Sequence, residues 1–147
     1  MFRGPFVVAS VGHMGAWGAG VFENDDASDW VWELEDDNDA SVLHEALAAA
    51  VDTPLDELID ATDASNALAA AEIIAAARGH HGAELPGEAR EWIHRNAGIV
   101  DARTVTLAAA AVERIGIDSE LKDLWDDSGN VEWAALVADL LERLRQR

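Results

Sequence analysis

Cysteine is absent from the 147 residues, which excludes a disulfide, a thiolate metal site and a thiol nucleophile. No apolar run approaches the roughly 20 residues that a membrane-spanning helix needs. Cations are scarce: ten Lys and Arg, with Lys122 the single lysine, face 29 Asp and Glu, for a net charge of −19. Nucleic acid and anionic lipid are held by cationic contacts, so this balance argues against either as a partner. It favours high solubility and a basic protein partner. The plainer reading is a proteome-wide habit, since acidic surfaces, few lysines and abundant alanine suit a GC-rich or salt-adapted bacterium or archaeon. Strand-like alternation is confined to residues 6–11, and neither an internal repeat nor an interdomain linker stands out.

Half of the residues are apolar, so the chain is no disordered polyelectrolyte and fits one domain with a sizeable core. Residues 1–13 carry one arginine and a short apolar patch behind Pro5, too little for a signal peptide. They read as a flexible extension ahead of a start at Met14, with 14–147 a single helical domain. A cytoplasmic location is the default expectation.

The periodicity predicts an all-α bundle of about six helices. Asn24 or Asp25 caps a first helix to about Leu34, and residues 36–39 break it and cap a second over 41–51. Thr53-Pro54-Leu55-Asp56 reads as a helix start, with a capping threonine and proline at the first helical position, opening a short turn to Ile59. A third long helix starts at Asp63 or Ser65 and stops at Gly79. Pro86-Gly87 opens a short helix with Trp92 and Ile93, and Asp101 caps another to Ile115, closed by Gly116. Asp118 caps 119–125. Asn130 caps a last helix whose apolar stripe is Trp133, Leu136, Val137, Leu140, Leu141 and Leu144. Arg143, Arg145 and Arg147 sit where its dipole favours cations. Residues 67–77 and 107–111 are alanine-rich on every face, so these two helices are expected to cross at the centre with the tryptophan-bearing helices outside.

The densest segment is Gly15-Ala16-Trp17-Gly18-Ala19-Gly20-Val21-Phe22-Glu23-Asn24-Asp25-Asp26-Ala27-Ser28-Asp29-Trp30. Three glycines within six positions imply a backbone that other residues resist. Trp17 and Phe22 give such a loop large apolar anchors, so it is expected to pack on the bundle. The segment resembles the opening signature of the bacterial domain of unknown function 4259 family, G-A-W-G-x-G-x-F-E-N-D-x-A-x-D-W. Residues 69–76 (AAAEIIAA), 119–125 (SELKDLW) and 133–143 resemble later segments of that family, in its order. The resemblance implies a small, mainly helical bacterial protein and supplies no reaction.

Glu72 is the sharpest single residue. Its helical neighbours Leu68, Ala69, Ala75 and Ala76 are apolar, so the carboxyl must be protonated, paired or hydrogen-bonded. One reading has it tie down the glycine loop, accepting from Trp17 Nε1 or from amides of residues 15–20. The other makes it a buried general acid or base. Glu23, Asn24, Asp25, Asp26 and Asp29, with Trp30 behind them, form an acidic knot. Its spacing lacks the central glycine and closing glutamate of an EF-hand, and capping accounts for its first members without a metal.

His80, His81 and Glu84 do not match a zinc pattern, and His44 and His94 are distant in sequence. Ser119 sits at a cap, and G-x-S-x-G is absent. G-A-W-G-A-G is neither a dinucleotide fingerprint nor a P-loop. Trp125 and Trp133 flank an acidic loop and read as core. No catalytic set, metal site or cofactor emerges. The chain therefore reads as a non-enzymatic protein-binding module, an inhibitor, immunity-type factor or adaptor, engaging a basic partner. The alternative is a carboxylate-based enzyme or metal-dependent site centred on Glu72 and the knot at 23–29.

Overall fold

The computed structural model describes residues 25–80, 85–129 and 131–146. The expected extension at 1–13, the glycine loop with Trp17 and Phe22, Glu23, Asn24, His81, Glu84 and Asn130 lie outside the described residues. Among those described there are seven α-helices and no strand: α1 (Asp25–Trp30), α2 (Ser41–Val51), α3 (Ala61–Ala77), α4 (Gly87–Asn96), α5 (Ala102–Ile117), α6 (Glu120–Asp127) and α7 (Glu132–Arg145). Short 3₁₀ turns follow α1 (Val31–Asp36) and α4 (Ala97–Ile99).

Helix α3 is the axis of the fold. Alanine has the highest helix propensity, and a 17-residue helix rich in it needs little else to form. Residues 67 to 76 are all buried, so every face meets a neighbour. Helices α1, α2, α4, α5, α6 and α7 all pack on it. Small side chains allow this close approach. Trp30, Trp92 and Trp133 come in from the surrounding helices α1, α4 and α7 and are buried in the same core.

The ends of α3 are fixed by specific bonds. Asp60 Oδ1 accepts from the Asp63 amide at 2.7 Å, so the helix begins before the Asp63 or Ser65 start that the sequence suggests. A short side-chain oxygen on the residue just before the first free amides can fold back onto them, which one already inside the turn cannot do. At the far end Gly79 adopts φ +90°. The Gly79 amide donates to Ala76 O and the His80 amide to Ala75 O, both at 2.9 Å, closing a Schellman turn. That turn presents the His80 carbonyl to α7.

Several expected boundaries shift. The short turn expected to run to Ile59 is closed by the Glu57 amide on Pro54 O and is not helical; Thr53 O, Pro54 O and Glu57 O accept from the Arg114 guanidinium of α5. Gly116 does not close α5. The helix runs on to Ile117, and a Cβ at Gly116 would stand 3.2 Å from Val137 Cγ1 of α7. Glycine there serves close helix approach, not termination. Helix α5 also presents Thr104, Ala108, Ala111, Val112 and Ile115 to the core but leaves Ala110 exposed. An alanine run reads as apolar all round, yet exposing alanine costs little, so only α3 is enclosed. Ser119, not Asp118, caps α6, its Oγ accepting from the Lys122 amide at 3.0 Å.

Candidate functional site

Glu72 and Arg143 form the most buried ion pair among the described residues. Glu72 faces inward from the middle of α3 and is 2% exposed. Arg143 comes from the last turn of α7. Its Nη1 donates to Oε1 at 2.6 Å and its Nη2 to Oε2 at 3.0 Å. This is the parallel fork that guanidinium and carboxylate geometry favours. Arg143 Nη1 also donates to His80 O at 3.1 Å, and Nε donates to Asp139 Oδ2 at 2.8 Å. Burial disfavours the Arg143 charge, but the hydrogen bonds and charges of Glu72 and Asp139 outweigh that, and its pKa is raised. The arrangement locks α3, the start of the α3–α4 connection and α7 together. It presents no open acid or base to a substrate.

Arg143 had been placed by its helix-end position alone. One signal marked it: Leu136, Leu140 and Arg143 are spaced four and three apart, so the arginine borders the apolar stripe of α7 and lies opposite a helix holding one buried acid.

Asp37 is a second buried carboxylate, 5% exposed. Oδ2 accepts from the Ala40 amide at 3.0 Å and from Trp92 Nε1 at 2.8 Å. Oδ1 accepts from Ser41 Oγ at 3.0 Å and the Val42 amide at 3.3 Å. The residue thus caps α2 and ties it to α4. Ala40 is held at φ +66°, in the left-handed region that costs a non-glycine residue roughly 1 kcal/mol or more. An open cleft beside it is lined by Glu33, Asp36, Asp37, Asn38 and Asp39. Its one deep carboxylate is already engaged by four donors.

A third cluster links His44, Thr104 and Asp101. Asp101 Oδ1 accepts from both the Thr104 amide and the Thr104 hydroxyl at 2.9 Å. These donors hold the Asp101 carboxyl below its ordinary value of 3.8. The hydroxyl proton is therefore committed, and His44 Nε2, 2.9 Å away, donates to the same oxygen. In a nucleophilic relay the carboxylate would orient the histidine. Here it holds the hydroxyl of a threonine 3% exposed, with Asp101 as the N-cap of α5, which is capping geometry and not that of an activated nucleophile.

The remaining sequence candidates disperse. Asp25 opens α1, and Asp29 lies exposed on that helix while Trp30 enters the core. Asp26 Oδ2 accepts from Thr62 Oγ1 at 3.3 Å, joining α1 to α3. Ser119 Oγ donates to Ile115 O as well as capping α6. Among the described residues no three His, Asp or Glu side chains converge as metal ligands. No described helix is long and apolar enough to cross a membrane.

The arginines account for what sequence reasoning missed most. Arg114 donates to five backbone carbonyls, those of Ala50, Val51, Thr53, Pro54 and Glu57. It thereby closes the C-terminus of α2, where carbonyls have no partner within the helix. Arg78 Nη1 donates to Val100 O and Arg95 Nη2 to Leu34 O. With Arg143, four of the ten cations turn their donors onto the fold itself.

The family model described as a domain of unknown function (DUF4259) matches residues 15–135, and the chain belongs to that family. No curated protein and no solved structure matches the chain.

Proposed function

We propose that the chain is a non-enzymatic protein-binding module whose acidic exterior engages a basic protein. The observation that supports this most is the disposition of its charges. The sequence carries 29 acids and ten bases, and four of those bases bond inward to carbonyls or to Glu72. Two more, Lys122 and Arg145, are paired with surface acids. The field seen by an approaching molecule is thus dominated by carboxylates, which steers cationic partners and speeds their association. Among the described residues the two buried carboxylates, Glu72 and Asp37, hold helices together and offer little to a catalytic or metal-dependent reading.

A pull-down from native lysate at low and moderate salt, read by mass spectrometry, tests this. One basic protein should be recovered in stoichiometric amount, retained less at the higher salt because exposed charges are screened. An Asp25→Asn/Asp29→Asn variant should hold it more weakly. An empty pull-down, or a partner indifferent to salt, would overturn the proposal and move effort to a ligand screen by thermal shift.

A further inference from the structure

The seam where loop 52–60 meets the end of α5 carries three large apolar side chains turned to solvent. Leu55 is 89% exposed, Leu58 46% and Ile117 70%. Hydrogen bonds tie the two segments that carry them. Arg114, one helical turn before Ile117, donates to the carbonyl of Pro54, next to Leu55. Ile59, next to Leu58, pairs with Ser119, and the Glu120 amide donates to Ile59 O at 2.8 Å. The Glu57 amide donates to Pro54 O at 3.0 Å, closing the turn that carries Leu55. Three guanidinium bonds, to Thr53 O, Pro54 O and Glu57 O, and a backbone pairing therefore hold this surface in place. Exposed leucines on a loose loop need no explanation. Two on a braced loop beside Ile117 of α5 keep apolar area in water without a backbone ordering cost on binding, which is how a preorganised contact surface is built.

The rim identifies what fits. Asp52, Asp56, Glu57 and Asp60 are exposed on the loop, and Asp118 and Glu120 flank the pairing. The nearby cation, Arg114, spends its donors on carbonyls. We infer that this seam is the docking surface for a basic amphipathic segment of a partner protein, its apolar residues seated on Leu55, Leu58 and Ile117 and its Lys and Arg on the acidic rim. This rests on the proposal that the chain binds a basic protein, and it places the contact. A second copy of the chain is the wrong occupant. It would set the same acids against one another, and three side chains fall well short of the roughly 800 Å² per partner that a stable pair buries.

The test uses the full chain and a fluorescent leucine–lysine peptide with helical apolar spacing, beside a scrambled peptide of the same composition. Affinity is read by anisotropy at low salt, and the contact is mapped by amide chemical shifts. The amphipathic peptide should bind more tightly than the scrambled one, with shifts concentrated in 52–60 and 116–120. A Leu55→Ser/Ile117→Ser variant should weaken it at least about tenfold, as loss of central apolar contacts does. Both positions are exposed, so the melting temperature should not move. Equal binding of the two peptides, or shifts centred elsewhere, would overturn the seam while leaving the basic-partner reading intact. No binding of either peptide would overturn both. A dimer that the double variant dissociates would show a second copy to be the occupant and overturn the inference.

Discussion

Removing the Arg143 charge should cost far more stability than removing an exposed charge on α7. In Arg143→Met the methylene stem is kept and the guanidinium is lost. Glu72, 2% exposed, then stays in the core without its bidentate partner. Breaking a buried ion pair in this way costs about 3–5 kcal/mol. The His80 carbonyl loses a donor as well, worth about 1 kcal/mol. By contrast, a neutral orphaned donor would cost about 1–3 kcal/mol. Glu72→Leu should be milder, about 2–3 kcal/mol, because Arg143 keeps Asp139 and lies near a helix end where it can turn to water. The double variant Glu72→Leu/Arg143→Met should recover most of the loss, since apolar replacement of a whole buried pair is often neutral or stabilising. Arg145→Ala is the internal control. Its pair with Glu113 has a similar 2.8 Å contact but side chains 58% and 53% exposed, so it should cost less than about 1 kcal/mol. Urea unfolding followed by circular dichroism reads all four. With a slope of roughly 2 kcal/mol per molar, the Arg143→Met midpoint should fall by about 2–3 M. Equal losses for Arg143→Met and Arg145→Ala, or strictly additive single and double variants, would refute the reasoning.

Trp92→Phe removes the indole donor from Asp37 and leaves unfilled volume. About 2 kcal/mol for the charge-assisted bond and about 1 kcal/mol for the cavity predict a loss of about 3 kcal/mol in the same urea assay; a loss under about 1 kcal/mol would show Asp37 to be adequately held by its three local donors. Asp101 has a folded pKa below 3.8, lowered by the Thr104 amide and hydroxyl, so its contribution is present above that value and lost as pH falls through the folded pKa. Asp101→Asn should therefore melt below the parent at neutral pH and converge with it in strong acid; a gap constant from neutral pH to strong acid would contradict this. Asn66 Oδ1 is the one buried side-chain N or O atom without a partner among the described residues. Asn66→Ala in mid-α3 should accordingly raise stability by about 1 kcal/mol, from better helix propensity and removal of an unsatisfied carbonyl; a fall in the thermal midpoint would show that Asn66 serves a partner.

Much of the fold was legible because its signals are local. The spacing of Val42, Leu43, Ala46, Leu47 and Ala50 set α2 at Ser41–Val51, and Pro86-Gly87 and Asp101 marked the starts of α4 and α5. The enclosed position of α3 followed from alanine on every face. The failures came where distant groups settle local conformation. Nothing near Thr53 reveals that Arg114, 61 residues on, takes its carbonyl. A threonine and proline that would start a helix therefore end in turns. Gly116 looked like a stop because its actual constraint, Val137 of α7, lies in another helix. For the candidate site, the burial of Glu72 could be read from its neighbours, but its guanidinium could not, since an arginine at a helix end already has a sufficient local reason to be there. The glycine loop with Trp17 and Phe22 and most of the acidic knot fall outside the described residues.

The polar interior and the acidic exterior bear on function in different ways. A core built largely from alanine has weak shape specificity, because small side chains pack acceptably in many registers. Directional bonds between non-neighbouring helices can supply the missing register. Glu72 with Arg143 joins α3 to α7, Asp37 with Trp92 joins α2 to α4, and Arg114 joins α5 to the end of α2. Each of these groups uses its bonding capacity on the fold, and Asn66 Oδ1 is the exception. A catalytic site needs the reverse: polar groups aimed at an absent ligand and left short of partners until it arrives. Chemistry that is spent on structure inside cannot also be held in reserve for a substrate. What is unspent among the described residues is on the surface, as carboxylates in excess of cations and apolar side chains on a braced turn. On the reading proposed above, those are the groups that a basic partner would meet.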